Sequence, residues 1–378
     1  MNRRKYLLGL VSATTLAAGC TTGSDSDPDA TVDAPTTTEN TVAQTDSTTQ
    51  TTPAPSPTVE WDAVAGARIG NGHHYPPPAL VDGNLIVASG LNDAGVIEAY
   101  NPDTGDREWT HATNASMNSD HPLAANDSVV VVGTDDGLKA IRASNGEAAW
   151  TEDMAVYGDP LAIDDAVYVP TAAGVKARGF DGEQLWTWNH DSFVNRVGSA
   201  GDAVYTKAGT SLYAIDVSDG STIWEKRSTM ELSTPPVVVD DLLLLGRENG
   251  HLTALQTESQ NEKWDVNLEQ SVSAPLGVGK NAVYAAGWSR DLHALTSSDG
   301  GTKWTFSPEL QTISAAVEVG DTVYVGGSNG LYARAVDDGS PQWTVGTDSA
   351  VWAPPLVEED QLYLLTEAGG IFCISYPE

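Results

Sequence analysis

The chain has 378 residues, and its 19 Lys and Arg stand against 52 Asp and Glu for a formal net charge of −33. Such a surface repels a phosphate backbone, which excludes nucleic acid as a partner. Its self-repulsion is screened over about 3 Å in about 1 M salt, so the composition points to the protein of a salt-accumulating halophile.

The chain opens on MNRRKYLLGLVSATTLAAGC, with paired Arg3 and Arg4, an apolar run from Tyr6 to Ala18 and a small-residue stop at Gly19-Cys20. That run is too short to cross a bilayer core of about 30 Å as a helix. Residues 1–19 therefore read as an export signal, and Cys20 as the residue that carries a lipid after cleavage. NRRKYL resembles a twin-arginine signal, with Asn2 and Tyr6 in place of the more usual Ser and Phe, and LAAGC resembles a lipoprotein processing box. Together they predict a folded chain held at the extracytoplasmic face of the cell membrane through its lipid.

Residues 20–58 are rich in Ser, Thr, Pro and Asp, with no Lys, Arg or aromatic residue. Such a segment cannot bury enough apolar surface to offset its ordering entropy, so a disordered, solvated stalk open to O-glycosylation is expected. Two N-glycosylation sequons follow it, Asn114-Ala-Ser and Asn126-Asp-Ser. Cys20 and Cys373 are the only cysteines. Cys373 reads as a small buried residue with no disulfide partner.

From residue 59 onward a pattern recurs. AYNPDTGDREW, AIRASNGEAAW, AIDVSDGSTIW, ALQTESQNEKW, ALTSSDGGTKW and ARAVDDGSPQW all run from alanine to tryptophan, and ARGFDGEQLW is one residue shorter. The tryptophans Trp109, Trp150, Trp186, Trp224, Trp264, Trp304 and Trp343 are spaced by 41, 36, 38, 40, 40 and 39 residues. A period near forty marks one repeated supersecondary unit. Within TPPVVVDDLLLLGRENGHLTALQTESQNEKWDV, four short β-type runs are separated by turn residues, and no helix-length stretch of 3.6 periodicity intervenes. Four antiparallel strands make one blade, and radial repetition makes a propeller.

In this reading the alanine is small where the third strand packs on the neighbouring sheet, Gly105, Gly146, Gly182, Gly220, Gly300 and Gly339 make the turn, and the tryptophan covers an adjacent blade. Gln260 replaces the glycine in one copy, so that turn must differ or be strained. After Trp343 come three strand-like runs with no tryptophan, and TVEWDA supplies Trp61 with no preceding strands. The N-terminal strand is therefore expected to complete the last blade and close the ring, giving an all-β, eight-bladed propeller over 59–378.

The pattern Ala-x-Asp-x-x-Thr-Gly-x-x-x-Trp, best matched by Ala99 to Trp109 and Ala214 to Trp224, is similar to the quinoprotein-type, PQQ-like propeller repeat. The resemblance implies that Trp61, Trp109, Trp150, Trp186, Trp224, Trp264, Trp304 and Trp343 dock between blades. It also implies two functions: quinone-dependent dehydrogenase, or non-enzymatic lipoprotein of outer-membrane assembly. The dehydrogenases of this family carry an adjacent-cysteine disulfide beside the quinone, a calcium site and large insertions over one face. This chain has no Cys-Cys pair and only short inter-blade loops.

The loops after the tryptophan strands are expected to gather at one mouth of the central channel. They hold His73, His74 and Tyr75, then His111, Asn118, Asp120 and His121, then Trp188, Asn189, His190, Asp191, Asn195 and Arg196, and finally Trp352. Two readings stand: a binding site for a metal or substrate, or solvated loops and blade packing. The histidines fall in different loops without metal-ligand spacing, so no metal site and no catalytic residue is assigned. Trp288, in GWSRD, is a further candidate contact residue. The expectation is a monomeric, cofactor-free scaffold for other envelope proteins, with a PQQ- and calcium-dependent oxidoreductase or a sugar- or peptide-binding surface protein as alternatives.

Overall fold

The structure is a computed structural model that describes residues 56–66, 76–90, 95–117, 123–287, 291–308, 314–358 and 360–376. Arg3, Arg4, Cys20, the signal and nearly all of the stalk lie outside the described residues, as do His73, His74, Tyr75, Asn118, Asp120, His121 and Trp288.

Strand β1 (Thr58–Val64) begins one residue before the boundary expected from sequence. The first blade follows as β2 (Ala79–Val81), β3 (Asn84–Ser89), β4 (Val96–Tyr100) and β5 (Arg107–Ala112), hydrogen-bonded in chain order. Six more blades repeat that order. The eighth consists of Leu356–Glu358, Gln361–Leu365 and Gly370–Ser375, with β1 as its outermost strand. The pairing is antiparallel and sets Trp61 opposite Cys373. The chain is thus an eight-bladed, all-β propeller, and β1 closes the ring.

The first strand of each blade is short, and first strands of neighbouring blades touch one another, which places them toward the axis. The second and third strands are almost wholly buried, with runs such as Val130, Val131 and Val132 at 0% exposure. Most fourth strands alternate exposed residues with half-buried or buried ones, as in β5, and Gln184–Asn189 buries the alternate residues Trp186 and Trp188, because only one of their faces meets the next blade. Buried clusters cross the blade boundaries: Val131, Leu138 and Ala140 of the second blade pack with Val167, Val169 and Phe180 of the third.

The repeat alanines lie in buried clusters shared with the neighbouring blade, Ala140 with Val167 and Val169 and Ala294 with Val323 and Val325, and their own sheet gives a second reason for their size. Tyr168, Ala177 and Trp186 lie side by side on three successive strands. With strands about 4.8 Å apart, the flanking rings must lean over the middle residue to touch, and they reach a centroid separation of 5.5 Å. The same row recurs as Tyr205-Ala214-Trp224, Tyr284-Ala294-Trp304 and Tyr324-Ala333-Trp343, with rings 5.6–5.9 Å apart. In the closing blade Tyr363 meets Trp61 over Cys373 at 6.1 Å. A longer side chain in the middle would hold the rings apart. Burial leaves Cys373 at 0% exposure and pushes its thiol up to about 11.

Six of the eight indoles are also hydrogen-bonded to the next blade. Trp61, Trp109, Trp150, Trp186, Trp264 and Trp304 donate from Nε1 to the carbonyls of Pro102, Ala143, Phe180, Val217, Ser297 and Val336 at 2.7–3.0 Å. The turn glycine lies against the face of that indole. At Gly146, whose φ is 72°, an added Cβ would stand 2.6 Å from Trp109 Cε3. Two constraints therefore meet on one residue: left-handed backbone and no room for a side chain. Gln260 keeps the left-handed turn at φ 55°, with its N–H on the Gln256 carbonyl at 2.8 Å. That turn does not differ in kind; it carries the backbone strain instead.

Candidate functional site

A crossover runs from the outer strand of each blade to the inner strand of the next, so all crossovers lie on one face of the disc. Those at 153–160 and 190–196 hang on the same strand end: Tyr157 N–H donates to Pro170 O at 3.2 Å and Val194 N–H to Thr171 O at 2.9 Å. They also touch each other, since a Cβ added to Gly158 would lie 2.0 Å from Asn195 O. Val194 is buried at 0% and pins the second loop. The neighbouring aromatics face water instead, with Phe193 59% and Tyr157 53% exposed.

Beside them Asn195 is exposed and Arg196 half-buried. The Arg196 carbonyl accepts from Thr206 Oγ1 at 2.7 Å, which fixes its backbone, while its guanidinium makes no ion pair among the described residues. Two exposed aromatic rings and an unpaired guanidinium on adjoining, backbone-anchored loops form a patch suited to protein contact. Sequence reasoning singled out Asn195 and Arg196 but missed Tyr157 and Phe193. The available signal was an isolated aromatic in a polar loop, in AVYGDP and DSFVN.

The remaining candidates have structural employment. His190 Nδ1 accepts the Ser192 N–H at 2.9 Å, so the ring proton sits on Nε2 and faces Tyr213 OH at 3.2 Å. That hydroxyl in turn donates to Glu225 Oε1 at 3.1 Å. His190 stacks on Trp188 at 5.3 Å, and Trp188 Nε1 donates to Thr222 Oγ1 of the next blade at 3.0 Å. Trp188 and Asn189 belong to strand Gln184–Asn189 and not to a loop. His111 likewise lies within β5, where its Nδ1 meets Gly146 O of the second blade at 2.8 Å. It belongs to a blade junction, because the strand runs further than the repeat alone suggests. Trp352 is half-buried, with its Nε1 on Glu367 Oε2 at 3.2 Å.

Two ionic clusters escaped the sequence reading. Arg178 of the third blade, 5% exposed, donates from Nε to Glu152 Oε2 of the second at 2.6 Å and also from Nη2 to Oε1. These bonds hold the Glu152 carboxyl below the usual range against the opposing push of burial. In the fifth blade Asp265 accepts from Arg247 Nη2 and Thr253 Oγ1, both at 2.5 Å, and meets His251 Nδ1 at 2.6 Å. Burial pushes the Asp265 carboxyl up, but the bonds from Thr253 and His251 outweigh it and leave it below the ordinary value. Its oxygens are taken up within the cluster, so it presents no general base. No group of three or more His, Cys, Asp or Glu among the described residues is placed to hold a metal.

An eight-bladed propeller of PQQ-type repeats with one aromatic and cationic patch on its crossover face defines the class. A family model described as outer membrane protein assembly factor BamB matches residues 38–186, 173–305 and 289–375, and the chain belongs to that family. It is similar to the outer membrane protein assembly factor BamB of Yersinia pestis, 24% identical over 99% of this chain and 99% of the relative. It also resembles that of Escherichia coli K12, 27% identical over 99% of this chain and 100% of the relative. In fold it resembles BamB from Moraxella catarrhalis, with a TM-score of 0.67 at 18% identity over 85% of this chain and 100% of that one. The quinohemoprotein alcohol dehydrogenase of Comamonas testosteroni shares the fold at a TM-score of 0.69 and 14% identity, over 85% of this chain and 78% of that one.

Proposed function

We propose that this protein is a non-catalytic scaffold that binds other envelope proteins during their assembly, held by a lipid on Cys20 at the extracytoplasmic face of the membrane of a halophile. Arg3 and Arg4 belong, in this proposal, to a twin-arginine export signal. The observation that carries the binding reading is the patch of Tyr157, Phe193 and Arg196, where rigid backbone presents apolar rings to water. Membership of a family described as an outer membrane protein assembly factor supports the same reading.

A cross-linking side chain placed at Phe193 in intact envelopes tests it. One defined envelope protein should be captured, the product should be lost with Arg196→Glu, and a cross-linker at exposed Asp164, in the turn on the opposite face, should not yield it. No product at Phe193, or the same product at Asp164, refutes the reading.

The proposal includes no quinone. Quinone chemistry belongs to a cofactor that the protein must seat and cover. The paired cysteines of the family's dehydrogenases have no counterpart here, because Cys373 lies buried beneath Trp61 and Cys20 is far from it in sequence. Folded protein in high salt, given pyrroloquinoline quinone and calcium, should bind neither stoichiometrically and reduce no dye with alcohols or sugars. Tight uptake with substrate-dependent dye reduction would establish the oxidoreductase alternative.

A further inference from the structure

We propose that Asn114 is the acceptor of an N-linked glycan and that Asn126, which carries the same sequence signal, is not. The two sequons are indistinguishable as patterns, and their settings in the fold are opposite.

Asn114 follows the end of β5 at the start of the crossover from the first blade to the second. Its neighbours are anchored. Thr113 is 1% exposed and donates from Oγ1 to Gly95 O at 2.9 Å and to Ala115 O at 2.7 Å, while Gly95 N–H donates to Ala115 O at 3.0 Å. Met117 is 1% exposed as well. Between these fixed points Asn114 is turned outward by a left-handed φ of 57°, a conformation that Asn tolerates better than most residues. Its Nδ2 has one long contact, to Ala112 O at 3.4 Å. The hydroxyl of Ser116, the third residue of the sequon, makes no hydrogen bond among the described residues. Asn114 is thus exposed, and the half-buried Ser116 hydroxyl beside it is not engaged by the fold.

Asn126 sits half-buried in the turn between the first two strands of the second blade. Its Oδ1 organises that turn, accepting the N–H of Val129 at 2.8 Å and of Ser128 at 3.0 Å. The Ser128 hydroxyl is turned onto the same oxygen at 3.5 Å. The backbone is tied too, by Asn126 N–H to Val129 O at 3.1 Å and Ala143 N–H to Ser128 O at 2.9 Å. Presenting this amide to an enzyme would require the turn to open.

The transfer uses a lipid-linked oligosaccharide as co-reactant. Asn114 Nδ2 forms a bond to the anomeric carbon, the bond from that carbon to the lipid phosphate oxygen breaks, the phosphate leaves with the electron pair, and the amide nitrogen gives up one proton. The product is a bulky, hydrated group on the crossover face, one loop away from the 153–160 crossover. In cells the modification rests on the export proposed above, because the chain must meet the enzyme outside the cytoplasm. If export occurs on the folded protein, surface access in the fold decides which sequon is used.

The test removes the dependence on export. Full-length, folded, unglycosylated protein is incubated with membranes that contain oligosaccharyltransferase and lipid-linked oligosaccharide, with a synthetic sequon peptide as positive control. Intact and peptide mass spectrometry should find one glycan, on the peptide that spans Asn114. Asn114→Asp, which tolerates the left-handed turn, and Ser116→Ala should each abolish the mass shift, and Asn126→Asp should leave it unchanged. An unmodified chain beside a glycosylated control peptide, or a glycan at Asn126, overturns the proposal. Modification in this assay but not on protein isolated from cells would place the failure in the export reading.

Discussion

The junction between the first and second blades and the one between the fourth and fifth come from the same repeat and are held differently. At the former, Trp109 lies on Gly146 and bonds to Ala143 O at 2.8 Å. At the latter, Gln260 stands in the glycine's place, and Trp224 donates no hydrogen bond among the described residues. Lys226, two residues beyond Trp224, takes over by donating from Nζ to Gln260 O at 2.7 Å. The turn geometry survives a side chain, and the indole keeps its packing on the fifth blade through a cluster with Val238, Leu243 and Leu245, but its hydrogen bond is lost. A propeller can therefore vary its clamps one junction at a time, provided each blade still finds some bond to its neighbour.

The comparison is broken most severely at the junction made by two chain ends. A chain that begins at Gly66 loses β1 and Trp61, leaving Gly370–Ser375 as an unpaired edge. The expected cost is about 3–5 kcal/mol, the scale of truncating a buried tryptophan, because half-buried Trp61 is lost together with the strand's pairing. Cys373 reports the event: a thiol reagent should be inert toward the intact protein in native buffer and react readily with the truncated one. Equal rates would mean that β1 does not cover the thiol.

Next in size is Gly146→Val, which imposes a branched side chain on a left-handed backbone and drives it into Trp109. About 3 kcal/mol of destabilisation is expected in denaturant titration, from backbone strain and overpacking together. A loss below about 1 kcal/mol would show that the Trp109 indole can shift to make room for a side chain.

Glu152→Gln probes a junction held by charge. It should cost about 2 kcal/mol at neutral pH, the scale of a hydrogen bond to a charged partner. The folded carboxyl titrates below its ordinary value, chiefly because Arg178 bonds it. Its contribution is therefore complete above the ordinary glutamate range and is lost as pH falls through the lowered value. The gap between wild type and variant should close on acidification; a gap that stays constant to low pH would remove the ionic account.

The smallest effect is a gain. Gln260→Gly relieves a left-handed side chain and should stabilise by up to about 1 kcal/mol, less the extra entropy of glycine in the unfolded chain. A loss of stability would show that the Gln260 side chain contributes more than its backbone strain takes away.

Much of this architecture was legible because its determinants are local. A four-run unit with turn residues at fixed offsets reveals a blade, and unmatched runs at the two ends reveal how the ring closes. The aromatic row was legible in principle as well: Tyr168, Ala177 and Trp186 stand nine residues apart, as do Tyr324 and Ala333. The second role of the alanine, room for the tyrosine and tryptophan rings of its own sheet, was missed because spacing along the chain does not say which side chains meet across strands. His111 was placed in a loop because the repeat marks where the tryptophan falls and not where its strand ends.

The sequence by itself determined the all-β class, the number of blades and the strand that closes them, since alternation and turn chemistry act over ten residues or fewer. Only the tertiary structure decided which polar and aromatic side chains are engaged and which are left to solvent. His190 is held by Tyr213 and Trp188 by Thr222, partners 23 and 34 residues away on the next blade. Phe193 stays in water beside a fully buried Val194. Burial at a blade junction depends on what the neighbouring blade brings to it, and a repeat period contains no record of that.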